Sequence, residues 1–591
     1  MRSRYGKESD MKRWLLPFFA LLLVASLTAA PLAPERSEAV AQAWLQACNA
    51  EFQIQSIRTL DRSGQHLATV YTLSPAGYVV VCTDDELPPV VAYSFTSTFS
   101  AGDGDLLAEL LTEDLSRRLL YMAPATRESN HELWLDPAPR RDPFQQWPPE
   151  GSTFTGGWIK TQWTQTEPNN DFCPIDPITL VRSYAGCPAV AMAQIVNYLQ
   201  TLNGTVFSDA DDYHHSYANR NFWIDDDHIP RGFPSWSELN GYLDTLTQHY
   251  KYSQEITNQD AAALIWACGV AAEQVYSSEG SGTYSVAQAV DAYQRFGFEN
   301  FELLTATDAD LFDRMAQNMM TAQPVHLAMV TPDWDSGHNV AVDGYNTDGF
   351  FHLNFGWGGS YSGWYLLPDQ FPYNMNVIEG AIVDIQPREY LFSTPDTLFF
   401  LTQESVYQPQ ILELINISDA PLSIEAINAF PQYLGDAMLS LGTEGWVFPV
   451  TIPSGQSLNL TLQWLWPVEL PRELIDGRIE VIHAYGVYSV PMEIDSSLFS
   501  SDAEDEIQPP GKISIWPNPF RTELCVKSQV DRELEITVYN LRGQRVACLQ
   551  GQKSVVWDAR DESGKTVGNG IYLFRIRQDG AESWRRAVKL R

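Results

Sequence analysis

The 591-residue chain is poor in cysteine, histidine and positive charge. Its seven cysteines are Cys48, Cys82, Cys173, Cys187, Cys268, Cys525 and Cys548. They are widely spaced and odd in number, and none forms a Cys-x-x-Cys pair. That excludes a dense disulfide framework and leaves at least one free thiol if the others pair. Lys and Arg number 38 against 74 Asp and Glu, a net charge of −36. An acidic surface keeps a protein soluble and repels nucleic acid, which is therefore not an expected partner. Long apolar runs are missing too. Beyond the N-terminus no stretch reaches the ~18 residues that a membrane-spanning helix needs.

What is present divides the chain. Its length suggests about three to five domains. Lys12 and Arg13 precede an apolar run from Trp14 to about Val24, and the small residues Ala25, Ser26, Thr28, Ala29 and Ala30 follow. This is the layout of a secretory signal peptide over residues 1–30. Residues 31–145 read as a small α+β unit, with a helix over 37–50, strands over 66–72 and 77–82, and a helix over 105–122. The Pro-rich, charged run from Asp136 to Gly151 reads as a cleavable linker. A separate N-terminal unit, a linker and a secretion signal together suggest a pro-segment.

Residues 146–388 form the largest unit. Helices are expected near 237–250, 259–276, 286–296 and 308–322. A strand over 325–330 follows, then a hairpin of 338–345 and 350–355 that turns at Asn346-Thr347-Asp348-Gly349. The acidic stretch 208–230 matches neither a calcium loop nor a helical zinc pair, and reads as a solvated surface excursion. Residues 389–500 have short apolar strands and Ser/Pro/Asn turns, the texture of an immunoglobulin-like β-sandwich. An acidic linker over 501–511 leads to a second all-β sandwich over 512–591.

The chemistry centres on Ser183-Tyr184-Ala185-Gly186-Cys187-Pro188 and the apolar helical pattern that follows it. Pro188 suits a first helical turn, where its missing N–H costs nothing. Cys187 then sits at the positive end of the helix macrodipole, where a thiol is expected to ionise more easily. His338 begins one hairpin strand and Asn354 lies on its partner. An Asn amide oxygen there would hold one imidazole nitrogen and leave the other for the Cys187 proton. This is the nucleophile–base–orienter logic of cysteine hydrolases. The Cys187 N–H and an upstream glutamine, Gln165 or Gln162, are candidate oxyanion donors. Singly, each of these residues has an ordinary structural reading; the ordered set carries the functional one.

The stretches Trp163-Thr164-Gln165-Thr166-Glu167-Pro168-Asn169-Asn170, Gly186-Cys187 through Gln194, Cys268-Gly269-Val270-Ala271, Gly280-Ser281-Gly282, Gly337-His338 through Tyr345 and Asn354-Phe355-Gly356-Trp357-Gly358-Gly359 run in one order. Residues 146–388 thereby resemble the catalytic domain of the streptopain family of papain-like cysteine peptidases. The resemblance implies that Cys187 is the nucleophile, His338 the general base and acid, Gln165 the oxyanion donor and Asn354 the orienter. It puts Gly282, Tyr284, Gly337, Phe355 and Trp357 along the substrate cleft, and Gly282 and Tyr284 are expected to border a pocket for an apolar side chain next to the scissile residue. Three positions depart from the family pattern: Ala185 before Gly-Cys, Pro188 after it, and Phe355 where a shielding tryptophan is usual.

Residues 77–85 and 88–94 resemble the family's pro-domain, which implies an intramolecular inhibitor that also assists folding. Trp516-Pro517-Asn518-Pro519-Phe520, Val538-Tyr539-Asn540 with Gly543, and Gly570-Ile571-Tyr572-Leu573-Phe574 resemble the sorting domains of the type IX secretion system. They imply contact with that machinery and a secreted or outer-membrane, cell-surface destination in a gram-negative bacterium. The expectation is a monomeric cysteine endopeptidase made as a zymogen, acting on proteins or peptides with no metal or organic cofactor. The competing readings are a weak or inactive surface adhesin and a cell-wall amidase. In fold class this is an α+β papain-like catalytic domain with an α+β pro-domain, followed by two all-β domains.

Overall fold

The computed structural model describes residues 34–589, except 49–51, 100–105, 122–123, 138–143, 331–336, 368–377, 402–404, 407, 435–436, 444–445, 466–473, 496–512, 518–519, 529–531, 541–544, 562–563, 569 and 579–580. The signal peptide, the centre of the first linker and the 501–511 linker lie outside the described residues.

An antiparallel sheet organises the first two-thirds of the chain. Its order begins with Gln53–Arg62, Gln65–Ser74, Tyr78–Cys82 and Val90–Ser94. It continues through Gly363–Tyr365, Phe351–Asn354, Gly337–Asn346, Val325–Val330, Ile378–Val383 and Glu302–Leu304. The two halves join where Trp364 pairs with Tyr93 and Tyr365 with Ala92. Strands 78–82 and 90–94 are buried throughout, as their unbroken apolar sequence requires of strands covered on both faces. One hydrophobic core therefore runs from Trp44 and Val80 to Val340 and Phe355. The N-terminal segment shares its sheet and core with the segment that follows.

A second core lies on the other face. It packs the helix Cys187–Leu199 with the helices Trp236–Lys251, Asn258–Ala271 and Val286–Arg295. The helix Asn258–Ala271 is apolar on nearly all sides and buried almost throughout, so it forms the centre of that layer. The stretch 208–230 holds a two-stranded hairpin, Tyr213–Tyr217 with Arg220–Ile224, where the sequence suggested only an excursion. Its alternation is readable afterwards: Arg220, Phe222 and Ile224 are buried while Asn221 and Trp223 face out.

The C-terminal third is all-β. Two five-stranded sheets enclose a core of Leu412, Leu414, Ile424, Leu460, Trp464 and Ile479. Past residue 512 a three-stranded and a four-stranded sheet enclose Leu524, Val538, Trp557 and Phe574.

Candidate active site

Cys187 opens the helix Cys187–Leu199, with Pro188 in its first turn. Gly186 immediately before it has φ 84°, and a Cβ there would come within 2.3 Å of Gln274 Oε1. Only glycine satisfies both constraints. Gln274 is fully buried and donates from Nε2 to the Ala185 carbonyl at 2.7 Å. Ala185 in turn donates its N–H to the Gln165 carbonyl at 2.9 Å. That bond sets Gln165 beside the turn leading into Cys187. Gln162 packs instead against Gly359.

His338 is buried on the strand Gly337–Asn346. Its Nε2–H donates to the Phe355 carbonyl at 2.9 Å. The Phe355 ring stacks on it with centroids 5.8 Å apart, and Trp357 covers it at 4.2 Å. Asn354 does not reach His338. The hairpin register sets Asn354 opposite Ala341, and residues 338 and 341 lie on opposite faces of a strand. The Asn354 amide oxygen accepts instead from Gln194 Nε2 at 3.1 Å and from the Gly356 N–H at 3.2 Å. Its Nδ2 donates to the Thr161 carbonyl at 2.9 Å.

The same alternation turns Asn339 toward the cysteine helix. Hydrogen bonds from the Asn339 backbone and side chain act on the Cys187 sulfur and hold its pKa down, but burial outweighs them and pushes the thiol up to about 11. The easier ionisation expected of a helix start is therefore absent in this state, because desolvation of the thiolate exceeds the dipole's help. Burial likewise lowers His338 to about 4, against the opposing pull of the Phe355 carbonyl. Among the described residues no hydrogen bond joins His338 to Cys187. A buried His326 stands behind Asn339: its Nε2–H donates to Asn339 Oδ1 at 2.8 Å, and the Tyr293 hydroxyl donates to its Nδ1 at 3.3 Å. The sequence reading missed His326, Asn339, Gln194 and the Phe355 carbonyl. Period-two alternation about His338 was the available signal for Asn339.

A cleft of about 350 Å³ lies against Cys187 and is bordered by Gly282, Tyr284, Gly337, Asn339 and Glu379. Three of the five expected cleft residues thus line it, while Phe355 and Trp357 pack on His338. Asp176 ties the surrounding loops together. Its carboxylate accepts from Arg220 Nε at 2.8 Å, from the Ser278 N–H at 2.9 Å and from the Ile178 N–H at 2.8 Å.

Residues 163–365 match the model of the Peptidase C10 family. Over this segment the chain is similar to a peptidase C10 domain. Residues 29–117 match the Spi protease inhibitor model, and residues 514–589 match the secretion system C-terminal sorting domain. Along the chain the inhibitor model thus falls ahead of the peptidase model and the sorting-domain model behind it. The thiol protease/hemagglutinin PrtT of Porphyromonas gingivalis is 24% identical over 410 residues, covering 64% of this chain and 42% of that protein. The chain thus spans less than half the length of this relative. Streptopain of Streptococcus pyogenes is 24% identical over 345 residues, covering 54% of this chain and 80% of that protein. Prointerpain A of Prevotella intermedia is 22% identical, covering 56% of this chain and 99% of the solved chain, with a TM-score of 0.39.

Proposed function

We propose that the chain is the zymogen of a secreted cysteine endopeptidase. The observation that carries this reading is Cys187 at the start of a buried helix, on the wall of a cleft, inside the segment similar to a peptidase C10 domain. The Cys187 thiolate attacks the substrate carbonyl. The Cys187 N–H and the Gln165 side chain hold the oxyanion. His338 takes the thiol proton, gives it to the leaving amine and then activates water for deacylation. In the described state the Phe355 carbonyl holds His338, and Asn354 braces Gln194 and the turn at Gly356. Gly282, Tyr284 and Gly337 border the pocket for the side chain next to the scissile residue. Domain limits of 31–145, 146–388, 389–500 and 512–591 fit the composition, the last two as sandwiches of immunoglobulin type. The catalytic unit has the papain-like arrangement and works as a monomer.

The described state is the latent one in this reading. Ser97 Oγ donates to the Gly359 carbonyl at 2.7 Å, and the Tyr361 N–H donates to the Thr98 carbonyl at 3.0 Å. Phe99 meets Tyr361 edge-on at 5.3 Å, and Tyr361 meets Trp357 at 5.3 Å. The inhibitor segment thus holds the glycine-rich loop and keeps Trp357 over His338, away from the thiol. Release of that segment frees His338 to turn toward Cys187.

Casein hydrolysis by the full chain under reducing conditions tests the reading, with Cys187→Ala as control. Self-processing and casein cleavage that disappear in Cys187→Ala are the expected result. Cleavage that survives the substitution overturns it.

A further inference from the structure

The cleft beside Cys187 contains one acidic side chain and, among the described residues lining it, no basic one. That side chain is Glu379, on the strand Ile378–Val383. One carboxylate oxygen accepts the Val286 N–H at 2.8 Å, at the start of the helix Val286–Arg295. This bond pins the carboxylate in place and leaves its second oxygen for another partner. Burial raises the Glu379 carboxyl above the ordinary carboxylate range against the pull of the Val286 N–H, and among the described residues no cation adds to that pull.

The rest of the cleft has the shape a long basic side chain needs. Met329 and Val330 give an apolar wall for an aliphatic stem. At Gly280 and Gly282 an added Cβ would meet nothing within 4 Å, so the cleft stays open on that side. Tyr217 and Tyr284 border the cleft with their residues 36% and 67% exposed, offering ring faces to a passing cation. No described lining residue comes from the inhibitor segment.

We propose that this pocket receives a Lys or Arg side chain of the polypeptide substrate, with Glu379 as the residue that sets the specificity. The inference rests on the peptidase reading above and adds the substrate class to it. A half-buried carboxylate without a cation is held at a desolvation cost, and an incoming ammonium or guanidinium removes that cost on binding. The net charge of −36 also draws cationic chains toward the surface. Of the incoming side chain, the stem lies along Met329 and Val330 and the charged end meets the free oxygen of Glu379.

The test uses the full-length chain, matured under reducing conditions, and three fluorogenic peptide sets that differ only in carrying Arg, Leu or Glu at each position flanking the scissile bond. Iodoacetamide labelling of Cys187, located by peptide mass mapping, runs in parallel. The expected result is kcat/KM at least about tenfold higher for Arg than for Leu at one flanking position. That ratio collapses toward one in Glu379→Gln, which keeps an acceptor for the Val286 N–H, and Glu379→Lys turns the preference toward Glu. Equal use of Arg and Leu by the unsubstituted chain overturns the proposal and leaves the peptidase reading intact. So does an Arg preference that survives Glu379→Gln. If no peptide is cut and Cys187 is not labelled, the peptidase reading falls and the proposal with it.

Discussion

The Nε2–H of His326 donates to Asn339 Oδ1 at 2.8 Å, and Asn339 in turn bonds the Cys187 sulfur. With its oxygen occupied, the Asn339 amide turns its N–H groups toward the thiol, where they stabilise a thiolate. Asn339→Ala should move the ionisation of Cys187 upward by about one pH unit, the size of a lost charge-assisted hydrogen bond. His326→Phe should move it the same way, and His326→Gln, which keeps a donor, should restore it. The pH dependence of iodoacetamide incorporation at Cys187 reads this directly.

A thiol reacts as its thiolate, and burial pushes Cys187 up to about 11 in the latent chain. Alkylation of the unprocessed Cys187 should therefore climb from neutral pH toward pH 11 without an early plateau. A plateau reached below pH 8 would show that the thiolate already forms in the precursor.

The inhibitor segment reaches His338 through rings. Phe99→Ala removes the edge contact on Tyr361 and with it the support of Trp357. Self-processing of Phe99→Ala should run several-fold faster than that of the unsubstituted chain, followed on gels from the moment reductant is added. An unchanged rate would mean that the loop is held by the Ser97 and Thr98 bonds alone.

Asp176 supports three loops around the cleft and pairs with Arg220, which is 4% exposed. Asp176→Ala takes one of the two acidic partners from Arg220, leaving Glu279, and should lower the urea midpoint of unfolding. Because the same carboxylate fixes the loops bearing Ser278 and Ile178, KM should rise as well.

Burial holds four histidines, His215, His326, His338 and His483, near 4 against an ordinary 6.5. Between those values the unfolded chain binds more protons, so stability falls as the pH falls. Their contribution is complete above pH 6.5 and declines steadily toward pH 4. Calorimetry should give a Tm that drops over this window, and His326→Phe should flatten the drop.

Much of this protein was legible in its sequence. The helix starting at Cys187, the strand Val325–Val330 and the hairpin turn at 346–349 follow from local patterns that tertiary packing did not override. Gly186 before Cys187 was readable because a positive φ leaves few alternatives. Spacing alone misplaced the orienter. Residues 338 and 354 are near in the hairpin, yet the register sets Asn354 opposite Ala341 and so on the other face. Register depends on bulges and turns that span both strands, and the chain has such an irregularity between Val342 and Gly344.

The sequence by itself determined the helix that starts at Cys187, the order of the segments and the negative net charge, since each depends on residue type and short spacing. Tertiary structure alone decided the rest. It joined the inhibitor segment to the catalytic sheet through Tyr93 and Trp364 and brought Glu379 to the cleft wall. It put Asn339, and not His338, on the thiol. Each of these contacts joins residues far apart in the chain, and only the packing of sheet against helix sets the distance between them.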